Sequence, residues 1–364
     1  MEKIAILGAG NGGFAFSGYL ALEGFEVSLY EDPKFKKNIK EVNNKGGIEV
    51  TGAVEGFGKV TLASTDVSSV VKGAKVVMVV VPAFAQMAIF ETALPYLEDG
   101  QIVVFWPDNF GTILAKKLMK EKNVNKDIKL VGTASLLFAT RKIGIDTNKV
   151  HIIEKKADMP AACLPAVDNL NIMKDLKVVI PQISLAKNVL EIGLINMNMV
   201  VHCATAVLNA GWIEWTKGDF EFYWNGMTPS VCRVLERIDE EIILVGKALD
   251  IKVRPVKYYL NKMYPTVKAN TLYEFVSHSH AHGGRGPDAP KNLKHRYISE
   301  DVPVGLVATS SFGKICNVPT PTIDSIILLA SILNEEDYRA RGRDLDALGF
   351  AGMSVNEIIN YVNM

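Results

Sequence analysis

The sequence predicts an α/β chain in two parts: a doubly wound parallel sheet over residues 1–184, then a mostly α-helical domain over 185–364. Three observations predict this. In the first half, short apolar runs ending in glycine or proline alternate with segments of helical period, the pattern of a parallel sheet covered on both faces. The loop Gly8-Ala9-Gly10-Asn11-Gly12-Gly13 joins the first such run to the first such helix. Beyond residue 185, strand-like runs nearly vanish and helical spacing takes over.

Lys3 to Leu7 reads as a buried strand, Asn11 to Glu23 as a helix, Glu26 to Tyr30 as a second strand and Pro33 to Asn44 as a lysine-rich helix. Gly46 to Ala63 alternates in polarity and reads as a small β-meander. Ala74 to Val81 and Gln101 to Phe105 are buried strands, followed by helices from Ala83 to Tyr96 and from Gly111 to Lys122. Leu130 to Thr133, Val150 to Glu154 and Val178 to Ile180 are further strands. In the second half, Ala186 to Trp215 contains no proline and reads as one long helix. Thr228-Pro229 places an N-cap before a first-turn proline and opens a helix through Ala248. Helices follow over Val256 to Met263, Pro321 to Leu333 and Ser354 to Asn363, whereas Ser277 to Leu293 is glycine- and proline-rich loop.

Forty basic residues balance forty acidic ones over 364 residues. Bulk-charge binding to nucleic acid is disfavoured at zero net charge, and no such partner is expected. With 48% hydrophobic and 22% charged residues the chain builds a core and is not intrinsically disordered. No leader pattern opens the chain and no apolar run reaches the ~20 residues that span a bilayer, so no membrane partner is expected. The four cysteines form no C-x-x-C pair and read as reduced thiols of a cytoplasmic protein.

The glycine loop is a G-x-G-x-x-G match in the context that gives it meaning, after a strand and opening a helix. Gly8 allows the tight turn, Gly10 lets a pyrophosphate approach the backbone, and Gly13 lets the helix pack on the strand. Asn11 and Gly12 complete a loop whose amides face the phosphates along the helix dipole. The fold is thus of Rossmann type. Glu31 ends the second strand about 20 residues further on, where a carboxylate accepts the ribose 2′-hydroxyl and repels a 2′-phosphate. NAD is therefore preferred, with Lys34, Lys36 and Lys37 leaving NADP as the second option.

Two C-terminal stretches carry a resemblance. Asn196-Met197-Asn198-Met199-Val200-Val201-His202 with Leu208-Asn209-Ala210, and Arg296-Tyr297-Ile298-Ser299-Glu300-Asp301-Val302-Pro303 with Gly305-Leu306-Val307, resemble the signatures of the opine dehydrogenases, the octopine/nopaline dehydrogenase family. Asn317 to Pro321 with Ile323-Asp324, the Gly10 to Gly13 loop with Ala15, Tyr19 and Leu20, and Val81-Pro82-Ala83 are similar to it too. The resemblance implies a two-domain enzyme that joins the amino group of an amino acid to a 2-oxo acid. A hydride from NAD(P)H then reduces the imine. It implies His202 as the catalytic histidine, Asp301 as its acidic partner, Asn198 as a polar neighbour one turn before it, and Pro82 at the cofactor.

Those residue types suit that chemistry. An imine carbon accepts hydride once its nitrogen is protonated, and the preceding carbinolamine loses water only after proton transfer to its oxygen. Histidine serves both steps near neutral pH. A carboxylate on the other ring nitrogen fixes the tautomer and supports the imidazolium. Asn198 and His202, at i and i+4, share a helix face. The two carboxylates of the product call for cationic clamps, with Arg141, Arg285 and Arg296 as candidates.

The loop Trp106-Pro107-Asp108-Asn109-Phe110-Gly111-Thr112 departs from the family pattern, as does His278-Ser279-His280-Ala281-His282-Gly283. The alternate histidines match no metal spacing and no metal is expected. Phe220, Phe222, Tyr223 and Trp224, with Trp212 and Trp215, read either as core or subunit interface or as the lining of an amino-acid pocket. The apolar helix Pro321 to Leu333 points to a homodimer. Two other readings stand: a two-domain reductase of ketopantoate or glycerol-3-phosphate type, and a non-enzymatic NAD(H) sensor.

Overall fold

The computed structural model describes residues 2–364, which form two compact units, the first ending at Leu185 and the second spanning Ala186–Met364. In chain order the first unit holds β1 (Lys3–Leu7), α1 (Asn11–Leu22), β2 (Glu26–Tyr30), a 3₁₀ turn running into α2 (Lys40–Lys45), β3 (Gly47–Gly52), β4 (Gly56–Lys59), β5 (Leu62–Ser64), α3 (Val67–Val71) and β6 (Val76–Val79). It continues through α4 (Ala83–Ala93), β7 (Ile102–Phe105), α5 (Gly111–Glu121), β8 (Lys129–Thr133), β9 (Phe138–Lys142), β10 (Lys149–Lys155), β11 (Met159–Leu164), α6 (Asn169–Val179) and β12 (Ile183–Leu185).

The main sheet has eight strands in the order β12-β11-β8-β7-β6-β1-β2-β5. All neighbours are parallel except β8 and β11. Its central strands are apolar on both faces, as Ile4 to Leu7 and Val76 to Val79 show, each fully buried. The winding reverses between β1 and β6, so the glycine loop after β1 sits at the switch point where such sheets bind ligands. A second sheet, β4-β3-β10-β9, covers the far side of α1. That explains why α1 is apolar all round, with Phe14, Ala15, Phe16, Tyr19 and Leu20 buried between two sheets. Gly18 and Gly58 allow the crossing, since a Cβ on Gly58 would lie 2.3 Å from the Gly18 carbonyl oxygen.

The expected meander over Gly46 to Ala63 is divided between the sheets: β3 and β4 pair in the smaller one, while β5 joins β2 in the main one. Val178 to Ile180 is not a strand. Ile172, Met173, Leu176 and Val179 face inward at helical spacing as α6, whose last residue is Val179, and the strand is β12.

Every regular element of the second unit is helical among the described residues: α7 (Val189–Leu194), α8 (Met197–Val201), α9 (Cys203–Leu208), α10 (Ala210–Thr216), α11 (Phe222–Gly226), α12 (Pro229–Ala248), α13 (Val256–Met263), α14 (Leu272–His278), α15 (Arg296–Ser299), a π-helical turn at Val302–Leu306, α16 (Val307–Ile315), α17 (Pro321–Asn334) and α18 (Val355–Asn363). The expected long helix over Ala186 to Trp215 is instead the broken series α7 to α10. Asn188 and Asn196 turn their side-chain oxygens onto the first amides of α7 and α8 and restart the helix there. The stretch Val189–Leu208 has the length and hydropathy of a membrane span, yet it is nearly all buried as core. Thr228 caps α12. Glu241, buried on α12, accepts the first amides of α17 at Thr322 and Ile323, both at 3.0 Å, and ties the two helices together. All four cysteines are free thiols.

Candidate active site

The first unit supplies the cradle. Gly8 has φ +111°, and a Cβ there would lie 2.4 Å from Val81 Cγ1. A Cβ on Gly13 would lie 1.7 Å from the Gly8 carbonyl oxygen, and one on Gly12 would lie 2.9 Å from Val80 Cγ1. Backbone packing excludes a side chain at Gly8 and Gly13, whose Cβ would meet the carbonyl oxygens of Val80 and Gly8, whereas at Gly12 the nearest atoms are side-chain methyls of Val80 and Leu136. Gly10 is different: nothing lies within 4 Å of where its Cβ would be. It opens α1 without any side-chain cap, and the first turn carries no acid. A helix N-terminus with uncapped amides and open space at its approach residue fits a pyrophosphate. Pro82 lies beyond the neighbouring strand β6 as the N-cap of α4.

Glu31 is buried at the end of β2. Its carboxylate accepts from the Asp32 amide at 2.9 Å and the Asn38 carboxamide at 2.7 Å, and from the Ala9 amide of the glycine loop. Burial raises its pKa, and those hydrogen bonds with the charge of Lys142 oppose the rise. Lys142 ends β9, its ammonium 3.9 Å from the centre of the Phe14 ring, and burial lowers its pKa. Its amide donates to Asn11 Oδ1 at 3.0 Å, so the Asn11 side chain ties the loop to the smaller sheet. Asn38 and Lys142 were not anticipated from the sequence, although Asn38 lies in the lysine-rich segment just after Glu31. Trp106 to Thr112 forms a buried turn in which Asp108 accepts the Thr112 amide at 2.9 Å and Asn109 and Phe110 both have positive φ.

The second unit supplies the titratable pair. His202 sits where α8 meets α9, with its amide donating to the Asn198 carbonyl at 2.8 Å. Asp301 precedes the π-helical turn. Gly305 of that turn lies against α8, where a Cβ would come 2.7 Å from Met199 Cβ. This close approach brings together side chains far apart in sequence: His202 Nδ1 lies 2.7 Å from Asp301 Oδ2. His202 is 6% exposed and Asp301 1%. The other carboxylate oxygen, Asp301 Oδ1, is buried without a hydrogen-bond partner among the described residues. Asn198 is partly exposed, one turn before the histidine.

Three aromatic residues complete the cluster. Tyr223 Oη lies 2.8 Å from His202 Nε2 and is hydrogen-bonded to Tyr297. Burial pushes the Tyr223 hydroxyl well above the usual tyrosine range. Tyr297 stacks on the imidazole at 4.0 Å between ring centres, and Phe222 packs against Tyr297 and Tyr223. Neither tyrosine was singled out as a proton-bearing group from the sequence. Tyr297 had a signal, one helical turn before Asp301 within the same motif.

The three candidate arginines are not brought together. Arg141 is exposed on β9 of the first unit. Arg285 folds back onto its own loop and donates to the carbonyls of His280, Gly283 and Ala281. Arg296 pairs with Glu300 at 3.1 Å with its side chain 44% exposed. In the histidine-rich stretch, His278 Nδ1 meets the Glu274 carbonyl and His282 Nδ1 meets Ser279 Oγ. Among the described residues no group of three or more potential ligands could hold a metal ion.

Residues 185–334 match the family profile described as the NAD/NADP octopine/nopaline dehydrogenase alpha-helical domain, and residues 3–107 match the NAD-dependent glycerol-3-phosphate dehydrogenase N-terminus. The chain is 36% identical to the opine dehydrogenase of Arthrobacter sp. (strain 1C), covering 97% of this chain and 96% of that one. It belongs to the opine dehydrogenase family. Protein ocs of Agrobacterium tumefaciens (strain Ach5), 24% identical over 100% of this chain and 99% of its own, is a more distant relative. An octopine dehydrogenase solved with NADH and L-arginine shares the fold, with TM-score 0.78 over 99% of this chain and 98% of that one at 20% identity. This family member is thus an NAD(P)-dependent oxidoreductase acting on CH–NH donors, and it catalyses reductive condensation of an amino acid with a 2-oxo acid. The ketopantoate- and glycerol-3-phosphate-type readings are not favoured, although the first-unit profile shows why the dinucleotide half resembles the latter.

Proposed function

We propose that His202 carries the proton transfers of this condensation, with Asp301 holding its ring and Asn198 orienting the substrate from the same helix face. The 2.7 Å contact between His202 Nδ1 and Asp301 Oδ2 carries the reading. With Nδ1–H donated to Asp301, Nε2 is the nitrogen left to take up and release a proton. The amine of the incoming amino acid is an ammonium at neutral pH and must lose a proton before it attacks the oxo carbon. The carbinolamine hydroxyl must gain one before it leaves as water. A single base that holds the proton between these steps satisfies both, and no net proton is needed from solvent before reduction. The dinucleotide, when bound, supplies the hydride that reduces the imine carbon.

On this reading Gly8, Gly10, Asn11, Gly12 and Gly13 form the pyrophosphate loop, with Pro82 beside it, and Glu31 selects NAD over NADP. Arg296, one residue from Tyr297, remains the candidate for a substrate carboxylate. Arg285 is committed to its own loop, and Arg141 is a further candidate. A homodimer through the exposed side chains of α17, with Leu328 61% and Ile332 64% exposed, and a cytoplasmic location in keeping with four free thiols complete the proposal.

The test is an NADH-oxidation screen of amino acids crossed with 2-oxo acids. Oxidation is expected only when both are present, and equal rates with oxo acid alone contradict the proposal. A second test addresses the cofactor. Glu31→Ala is expected to narrow the preference for NADH over NADPH by about tenfold or more in kcat/KM, the scale of one hydrogen bond to a charged group. Because burial raises the Glu31 pKa, NAD affinity is expected to weaken on acidification at a higher pH than an ordinary glutamate would give. Unchanged preference in the variant would remove Glu31 from the selection.

A further inference from the structure

The arrangement around His202 leaves its reactive nitrogen covered. Nδ1 is taken by Asp301, Nε2 by Tyr223 Oη at 2.8 Å, and Tyr297 lies over the ring. The imidazole is 6% exposed, and Tyr223 is half-buried as a residue with its hydroxyl enclosed between His202 and Tyr297. Tyr223 is also held in place. Phe222 and His282 meet its ring edge-on, at 5.1 and 5.0 Å between ring centres, and the preceding amide, Phe222 N–H, donates to Asp288 Oδ1 at 2.8 Å. Swinging the ring aside to bare Nε2 would break these contacts.

The geometry points to Tyr223 Oη as the atom that exchanges protons with the reacting amine and carbinolamine, with His202 acting behind it. This inference rests on the reaction proposed above and adds a catalytic residue to it. In the first step a substrate ammonium N–H bond breaks and its proton forms a bond to Tyr223 Oη. The hydroxyl proton already on Oη passes to His202 Nε2, giving the imidazolium paired with Asp301. The freed amine attacks the oxo carbon: the C–N bond forms as the C=O π pair moves onto oxygen, and an N–H proton of the adduct passes to that alkoxide to give the neutral carbinolamine. In the second step the imidazolium proton returns to Oη as the Oη proton passes to the carbinolamine hydroxyl. The C–O bond breaks, water leaves, and the nitrogen lone pair forms the C=N⁺ bond that the hydride reduces. His202 and Tyr223 end as they began. Burial disfavours the phenolate, so the two protons at Oη move together.

Tyr223→Phe keeps the ring contacts and removes the hydroxyl. Its kcat is expected to fall by ~100-fold or more, with KM for NADH unchanged. The double variant Tyr223→Phe with His202→Asn is expected to be no slower than His202→Asn alone, because both act in one chain of transfers. A fluorinated tyrosine at position 223, which retains shape and hydrogen bonding but is more acidic, is expected to move the pH–rate profile to lower pH. A Tyr223→Phe enzyme within about threefold of the wild type, losses that multiply in the double variant, or an unmoved profile overturns the relay. If the wild type oxidises NADH with oxo acid alone, the underlying reaction falls. If it requires the amine while Tyr223→Phe is unimpaired, the relay alone falls.

Discussion

His202→Asn is expected to lower kcat by ~100-fold or more while leaving the affinity for NADH unchanged. Asparagine is smaller than the imidazole and places its carboxamide near the Nδ1 position, so Asp301 keeps a hydrogen-bond donor while Tyr223 Oη loses its partner at Nε2. What is lost is the ability to accept and return a proton. The glycine loop belongs to the other unit, and dinucleotide binding there has no reason to change. Asp301→Asn makes the complementary test. It leaves a side chain of the same shape but removes the carboxylate that accepts Nδ1–H, so the imidazole is no longer held in its productive tautomer. Asp301 Oδ1 already lacks a hydrogen-bond partner, so no further bond is broken at that oxygen. Steady-state kinetics with a fluorescence titration of NADH separate the two effects. Unchanged turnover in His202→Asn removes the histidine from the mechanism.

Gly13→Ala is expected to destabilise the first unit by about 3 kcal/mol or more and to abolish dinucleotide binding with it. The new methyl would lie 1.7 Å from the Gly8 carbonyl oxygen, a backbone atom that cannot rotate away. Either α1 or the end of β1 must move, and both are packed in the core. Gly10→Ala is the contrast. Its backbone, at φ −79°, accepts alanine, and nothing lies within 4 Å of the new methyl. Thermal melting should change little, yet the methyl projects where a pyrophosphate would approach, so NADH affinity should fall. The pair separates a glycine required by packing from one required by a ligand. Gly13→Ala melting like the wild type, or Gly10→Ala binding like it, contradicts that division.

The cradle was legible in the sequence because each glycine reports a backbone constraint, and strand, loop, helix and Glu31 fall in register. His202 and Asp301 were legible through the motifs that carry them, since no local pattern links two residues so far apart. Tyr223 was not, because an aromatic residue beside Phe222 and Trp224 reads equally well as core. Only the fold shows that its hydroxyl meets the histidine Nε2. The Gly46 to Ala63 strands were recognised, but period-two alternation is the same whichever sheet a strand joins, so β5 could not be told from β3 and β4. The break of Ala186 to Trp215 involves no proline. Its signal was Asn188 and Asn196, whose short carboxamides compete for backbone amides and restart the helix wherever packing favours a turn.

The most direct measurement is the mass of the product formed from a heavy-nitrogen amino acid, a 2-oxo acid and deuterated NADH. One species is expected that joins both substrates less a single oxygen, carrying the heavy nitrogen and one deuterium on the carbon that was the keto carbon. Deuterium found only in a nitrogen-free hydroxy acid, with the amino acid returned unchanged, would contradict it.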